Sequence, residues 1–191
     1  MDLVRLFDAL NFSAEKHRNQ HRKGVEASPY INHPIEVAHV LVKEGAVEDE
    51  TTLIAALLHD TIEDTDATRE EVEVKFGKEI IDLVMEVTDD KRLEKEERKA
   101  LQVKHAPQLS RRAKVIKIAD KICNIREILE RPPRDWTLER KQEYLDWSRR
   151  VVEGCRGSNK NLERCFDDLC DRGKEILGVP QTKNGQNLTD S

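Results

Sequence analysis

His33, His59, Asp60 and Asp120 supply two imidazoles and two carboxylates from three separated stretches of chain. Such a mixed nitrogen–oxygen set suits Mn²⁺, Fe²⁺ or Zn²⁺, with coordination positions left for water and a substrate. Each residue also has a plainer explanation. A lone histidine before a proline-opened helix is commonly a cap or a surface residue. A His-Asp pair arises often by chance, and Asp120 could be an ion-pair partner of Lys117, Lys121 or Arg126. The setting favours chemistry. His59-Asp60 follows directly on Ala55-Ala56-Leu57-Leu58, and Asp120 interrupts the apolar stripe Val115, Ile118, Ala119, Ile122, Ile125. A carboxylate placed there is costly unless it is paired or bound to a cation.

Glu63 and Asp64 come three and four residues after Asp60, so a continuing helix returns them to its face one turn on. Asp60, Glu63, Asp64 and Asp66 repel one another unless cations compensate. They form either a solvated acidic turn or a general base with its orienter beside an activated water. Asn124 lies one turn beyond Asp120, placed for a substrate contact or for a hydrogen bond within the helix. Arg22-Lys23-Gly24, with His21 before it, is the candidate for phosphate recognition. Arginine offers a planar fork and a stacking face, lysine a point charge, and glycine a close backbone approach. As an isolated cluster it would be a basic surface patch.

Helices must position these groups, because apolar spacing is helical almost throughout. Leu3, Leu6, Phe7, Leu10, Ala14 and His17 mark a first amphipathic helix. Pro34 suits the first position of a second, with Ile35, Ala38, Leu41 and Val42 continuing to Gly45. Thr52 to Leu58 is apolar all round and reads as a central buried helix. Thr68 with Glu71 has the capping-box spacing, opening a short helix that Gly77 closes. Ile80, Ile81, Val84 and Val87 define the next, and a charged helix from about Leu93 to Lys104 is broken by Pro107. Ser110 caps the helix carrying Asp120, which Pro132-Pro133 ends. Thr137 with Arg140 is a weaker cap for a helix through Leu138, Tyr144, Leu145, Val151 and Val152, and a last helix runs from about Asn159 to Leu177. No strand alternation or repeat appears. The expectation is one all-α domain over residues 1–177, with a disordered tail over 178–191.

Composition agrees and narrows the classes. A chain of 191 residues suits one well-buried domain. Only 4% of residues are aromatic, poor for a β-sandwich but adequate for helix packing. No apolar stretch reaches the roughly 18 residues of a membrane span. With 33 basic against 38 acidic residues and a net charge of −5, general nucleic-acid binding is not expected, although a local basic pocket can serve a small anion. Met1–Asp8 has no apolar signal core, and the four cysteines form no CxxC pair, which together point to reduced thiols in the cytoplasm.

Arg22-Lys23, Pro29-Tyr30-Ile31-Asn32-His33-Pro34, His59-Asp60-Thr61-Ile62-Glu63-Asp64-Thr65 and Lys117-Ile118-Ala119-Asp120-Lys121 stand in a telling order and spacing. The chain resembles the HD-domain metallohydrolases, in particular the hydrolase half of the RelA/SpoT enzymes that degrade (p)ppGpp. Val87–Lys91 and Gln142–Trp147 look like the small stand-alone animal members. The similarity spans roughly residues 3 to 177. It implies an HD-domain helical bundle in which His33, His59, Asp60 and Asp120 bind one Mn²⁺, with Zn²⁺ or Fe²⁺ as alternatives. Glu63 and Asp64 would position and deprotonate the attacking water. Arg22 and Lys23 would meet the guanine and phosphate region, Asn124 the nucleoside, and Tyr144, Lys95 and Arg140 the same pocket.

The implied reaction is hydrolysis of the ribose 3′-pyrophosphate of ppGpp to GDP and pyrophosphate. The animal members also imply removal of the 2′-phosphate of NADPH. The length leaves no room for a synthetase region, and Gly24-Val25-Glu26-Ala27-Ser28 departs from the Ser-Gly-Glu pattern of bacterial members. Another HD-domain nucleotidase would share the metal set but has no need of Arg22-Lys23 or Glu63-Asp64. A silent nucleotide-binding regulator has no reason to keep a costly cluster of like charges.

Overall fold

The helical period read from the chain appears as ten α-helices among the residues that the computed structural model describes, 1–24 and 26–179. They are α1 (Leu3–Lys16), α2 (Asn32–Lys43), α3 (Glu50–Leu58), α4 (Thr61–Asp64), α5 (Arg69–Phe76), α6 (Lys78–Val87), α7 (Lys95–His105), α8 (Arg111–Glu130), α9 (Leu138–Glu153) and α10 (Lys160–Ile176). A 3-10 turn, Ala106–Gln108, stands where Pro107 was expected to break α7. β pairing among the described residues is limited to isolated bridges from His21 to Pro29 and from Gly24 to Pro133. The fold is all-α, and among the described residues no helix is long and apolar enough to cross a membrane.

Local chemistry sets the helix starts. The hydroxyls of Thr68, Ser110 and Thr137 accept from the backbone N–H of Glu71, Ala113 and Arg140 at 3.1, 3.2 and 3.2 Å. Each such cap contributes about 1 kcal/mol. The Thr137 cap, weak by its sequence spacing, is formed like the others. α2 starts two residues earlier than Pro34 suggested, at Asn32. Proline is tolerated there because first-turn N–H groups lack intrahelical partners anyway. This shift puts His33 inside the first turn, where it is buried.

All seven residues from Thr52 to Leu58 are buried, and α3 is packed by α1, α2, α6 and α8. α8 in turn contacts α2, α6, α9 and α10, burying Val115, Ile116, Ile118, Ala119, Ile122 and Ile125. At about 1.5–3 kcal/mol for each fully buried Leu or Ile, α3 and α8 dominate the core. Asp120 lies on α8 and His59-Asp60 follow α3 directly, so these candidate ligands stand against the most buried part of the core.

Two stripes differ from expectation. Leu3 and Phe7 are 57% and 58% exposed, and α1 instead buries Ala9, Phe12 and Ser13, with Phe12 edge-on to Phe76 at 5.5 Å. On α2, Ile35 and Val42 face outward while Val37, Val40 and Leu41 face in. Both helices carry apolar residues around more than one face, and docking against α3 and α8 selects which face is buried. Gly178, with φ +63°, follows α10. From Pro180 onward the expected disordered tail lies outside the described residues.

Candidate active site

His33, His59 and Asp60 offer ligand atoms that all lie within 4.8 Å of one another. His33 comes from the first turn of α2, and His59-Asp60 from the break between α3 and α4, so the helix does not run straight from Leu58 into Glu63. Asp120 joins them from the middle of α8, with Oδ1 3.2 Å from His33 Nε2. Asp60 Oδ2 lies 3.2 Å from His59 Nε2 and 3.8 Å from His33 Nε2. Asp120 also has the partner that its plainer explanation required: Lys121 Nζ donates to Oδ2 at 2.9 Å, and Asn124 Nδ2 donates to Oδ1 at 2.5 Å.

Hydrogen bonding fits this set to a cation. His59 Nδ1 is 2.7 Å from the Ala56 carbonyl, which can only accept, so the proton is on Nδ1. The Nε2 lone pair then faces Asp60 Oδ2, and among the described residues this buried nitrogen has no hydrogen-bond partner; neither has His33 Nδ1. A lone pair opposed to a carboxylate oxygen is repulsive unless positive charge lies between them. The field calls for that charge. Although burial opposes it, Asp60 and Asp120 push His59 up to about 9. Burial likewise opposes ionisation of Asp60 and Asp120, yet His59 and His33 hold Asp60, and Lys121 and His33 hold Asp120, far below the usual carboxylate range. A divalent ion bound to neutral imidazoles would meet the same demand.

Glu63 and Asp64 lie on the short helix α4 beside this cluster. Burial first, then the charges of Asp89 and Asp60, raises the Glu63 carboxyl above its ordinary value, against the Asp89 N–H and Lys91. Lys91 Nζ reaches both carboxylates, 2.5 Å from Asp64 Oδ1 and 3.4 Å from Glu63 Oε1. The Tyr30 hydroxyl donates to Asp60 Oδ2 at 2.6 Å and lies 3.2 Å from Asp64 Oδ2. Burial and those two carboxylates hold Tyr30 firmly protonated.

A cavity of about 160 Å³ is lined by the candidate metal ligands, and a larger one of about 450 Å³ adjoins it; Arg22, Tyr30, Asp64 and Asn124 line both. Lys23, Lys91, Trp136 and Tyr144 add to the larger wall. Arg22 is not a free phosphate ligand. Its guanidinium pairs with Glu127, donates to Asn124 Oδ1 at 2.9 Å, and sits 5.4 Å from the Tyr30 ring centroid. Gly24 makes the expected close approach, but to the protein's own chain: a Cβ there would stand 3.1 Å from the Arg131 carbonyl oxygen. Lys95 and Arg140 do not line either cavity. Arg140 stacks over Trp136 at 4.4 Å, and burial, with the neighbouring charges of Arg140, Lys99 and Lys23, lowers Lys95.

A family model described as HD domain matches residues 9–146. The chain belongs to the HD-domain family. It is 49% identical over 168 residues to the Xenopus tropicalis guanosine-3′,5′-bis(diphosphate) 3′-pyrophosphohydrolase MESH1, covering 88% of this chain and 94% of that protein. The Drosophila melanogaster protein of that name is 48% identical, with 87% and 93% covered. A solved metazoan orthologue of SpoT, described as hydrolysing ppGpp and playing a role in starvation responses, superposes with a TM-score of 0.86 at 47% identity, covering 88% of this chain and 94% of that one. Among HD-domain proteins, therefore, this one stands with the small stand-alone animal homologues of SpoT.

Several residues of this HD-domain site escape sequence reasoning. Tyr30 stands inside a recognised motif, yet nothing local shows that its hydroxyl reaches Asp60. His17, read only as part of the first helix's stripe, is buried and stacks on Tyr30 at 4.8 Å. Lys91 lies in Val87–Lys91, a stretch read only for its likeness to the animal members, and Glu127 stands in no motif. Lys121 did leave a signal, being a lysine on the buried side of an apolar helix, and its Nζ sits 4.4 Å over Trp147.

Proposed function

We propose that this HD-domain chain is a metal-dependent hydrolase that removes the 3′-pyrophosphate of guanosine 3′,5′-bis(diphosphate), giving GDP and pyrophosphate. The observation that carries this reading is the shared wall of Arg22, Tyr30, Asp64 and Asn124 between the metal-type cluster and the basic, aromatic pocket. A nucleoside in the larger pocket can thereby present a ribose phosphate to the smaller one. The activity named for the animal relatives supports the same substrate.

His33, His59, Asp60 and Asp120 would hold one divalent ion, with Mn²⁺ our choice over Zn²⁺ and Fe²⁺. When bound, it supplies Lewis-acid activation of water and of a phosphoryl oxygen. Glu63, raised by burial, accepts the proton of the attacking water, and Asp64, held between Tyr30 and Lys91, orients that water. The water oxygen forms the new bond to phosphorus, the bond from phosphorus to the ribose 3′-oxygen breaks, and the 3′-oxygen takes up a proton. Lys23 and Lys91, with Lys95 and Arg140 nearby, offset the charge of the phosphates. Arg22, clamped by Glu127, presents its face beside the base, and Asn124 and Tyr144 bound the nucleoside. We assign this work to residues 1–177 as one domain acting in the cytoplasm on small nucleotides.

The test is product release from ppGpp and from NADPH in parallel, with metal-stripped and Mn²⁺-loaded protein. Pyrophosphate from ppGpp only with metal supports the assignment, and phosphate from NADPH would add the second substrate. No release from either, with metal shown to be bound, would sink the proposal in favour of another HD-domain nucleotidase or a binding regulator.

A further inference from the structure

Behind Glu63 a chain of contacts reaches α7. The Asp89 backbone N–H donates to Glu63 Oε2 at 2.9 Å, while Lys91 Nζ and Arg98 Nη1 stand 3.4 and 3.6 Å from Oε1. Asp89 lies between α6 and α7, so no helical ladder aims its N–H. Its side chain is held instead by Gln102 of α7, whose Nε2 donates to Asp89 Oδ2 at 2.6 Å. The segment before it is fastened separately: Lys117 Nζ donates to the Val87 carbonyl at 2.8 Å, and the Thr88 hydroxyl to that of Val84 at 2.8 Å. α7 itself has no buried residue, so apolar packing alone does not set its position against the site.

From this geometry we infer that Gln102 and Asp89 are positioning residues for Glu63. Gln102 fixes the Asp89 side chain, the Asp89 N–H fixes one oxygen of Glu63, and the carboxylate stays aimed into the cavity where water is attacked. The inference rests on the reading of Glu63 as general base. Both cations act on Oε1, and Lys91 is 47% exposed, so loss of the N–H on Oε2 lets them draw the carboxylate outward. Displacing a reacting group by about 1 Å costs on the order of a hundredfold in rate. Binding of the nucleotide does not depend on that displacement.

The experiment compares kcat and KM for ppGpp in the full Mn²⁺-loaded chain carrying Gln102→Met, Asp89→Ala, Asp89→Asn or the Gln102→Met/Asp89→Ala pair. Gln102→Met keeps length and bulk without the donor. Asp89→Asn keeps an oxygen that Gln102 can donate to. The expected result is a kcat lower by about tenfold to a hundredfold in Gln102→Met and Asp89→Ala, with KM within about twofold of the wild-type value. Asp89→Asn should recover most of the rate, and the pair should be no worse than either alone because they act in series. Wild-type kcat in Gln102→Met, additive losses in the pair, or a loss seen only in KM would overturn the inference. If Asp89→Ala does not fold, Gln102→Met and Asp89→Asn decide. A wild-type chain without turnover overturns the activity itself, whereas an active wild type with unaffected variants overturns only the positioning role.

Discussion

Replacing Tyr30 by phenylalanine removes one oxygen atom and leaves the ring in place. The ring keeps its stack on His17 at 4.8 Å and its contact with Arg22 at 5.4 Å. Lost is the hydroxyl at 2.6 Å from Asp60 Oδ2 and 3.2 Å from Asp64 Oδ2. A hydrogen bond to a charged group contributes about 1.5–3 kcal/mol, which corresponds to about 10- to 100-fold in an equilibrium constant. Asp60 is the carboxylate between both imidazoles, so that loss falls on the hold of the cation. Tyr30→Phe is therefore expected to bind Mn²⁺ about 10- to 100-fold more weakly, in line with other partners that orient metal ligands. Competition against a chromophoric chelator measures the affinity, and a thermal melt of the metal-free protein checks that the fold is intact. An affinity within about twofold of wild type, with the fold intact, would refute the reasoning, because the hydroxyl would then orient nothing.

Glu63→Ala should lower kcat by about 10²- to 10⁴-fold while the protein still binds Mn²⁺, checked by single-turnover kinetics and metal analysis. The acid limb of kcat/KM should lie above the ordinary glutamate value of about 4.3, because burial raises Glu63; the base works deprotonated, so the rate climbs as pH rises through that limb. A limb at the ordinary value would remove Glu63 from the role. Glu127→Ala frees Arg22 from its clamp and should raise KM for ppGpp by about tenfold with kcat little changed, read from initial rates. Leu58→Ala empties a fully buried position next to His59 and should cost about 2–5 kcal/mol in a urea melt.

Much of this protein could be read from local pattern. Period, caps and the all-apolar run from Thr52 to Leu58 identify helices because these signals act within a few residues of chain. The misplaced burial on α1 and α2 shows the limit: Leu3, Phe7, Ile35 and Val42 fit a helical stripe, but the period does not say which stripe another helix will cover. The site divides in the same way. The motif residues His33, His59, Asp60, Asp120, Glu63 and Asp64 stand out because each is a polar or charged group set against apolar neighbours or crowded by like charges.

By itself the sequence determined an all-helical chain, its polar interruptions and its place among the HD-domain proteins. Only the tertiary structure decided that Tyr30 bonds Asp60, that Lys91 spans Glu63 and Asp64, and that Glu127 engages Arg22. These partners come from segments up to 105 residues apart, as Arg22 and Glu127 do. Whether two such groups meet depends on how α2, α3 and α8 cross, to within the few tenths of an ångström over which a hydrogen bond is made or lost. No local period encodes that crossing; packing of the whole core sets it.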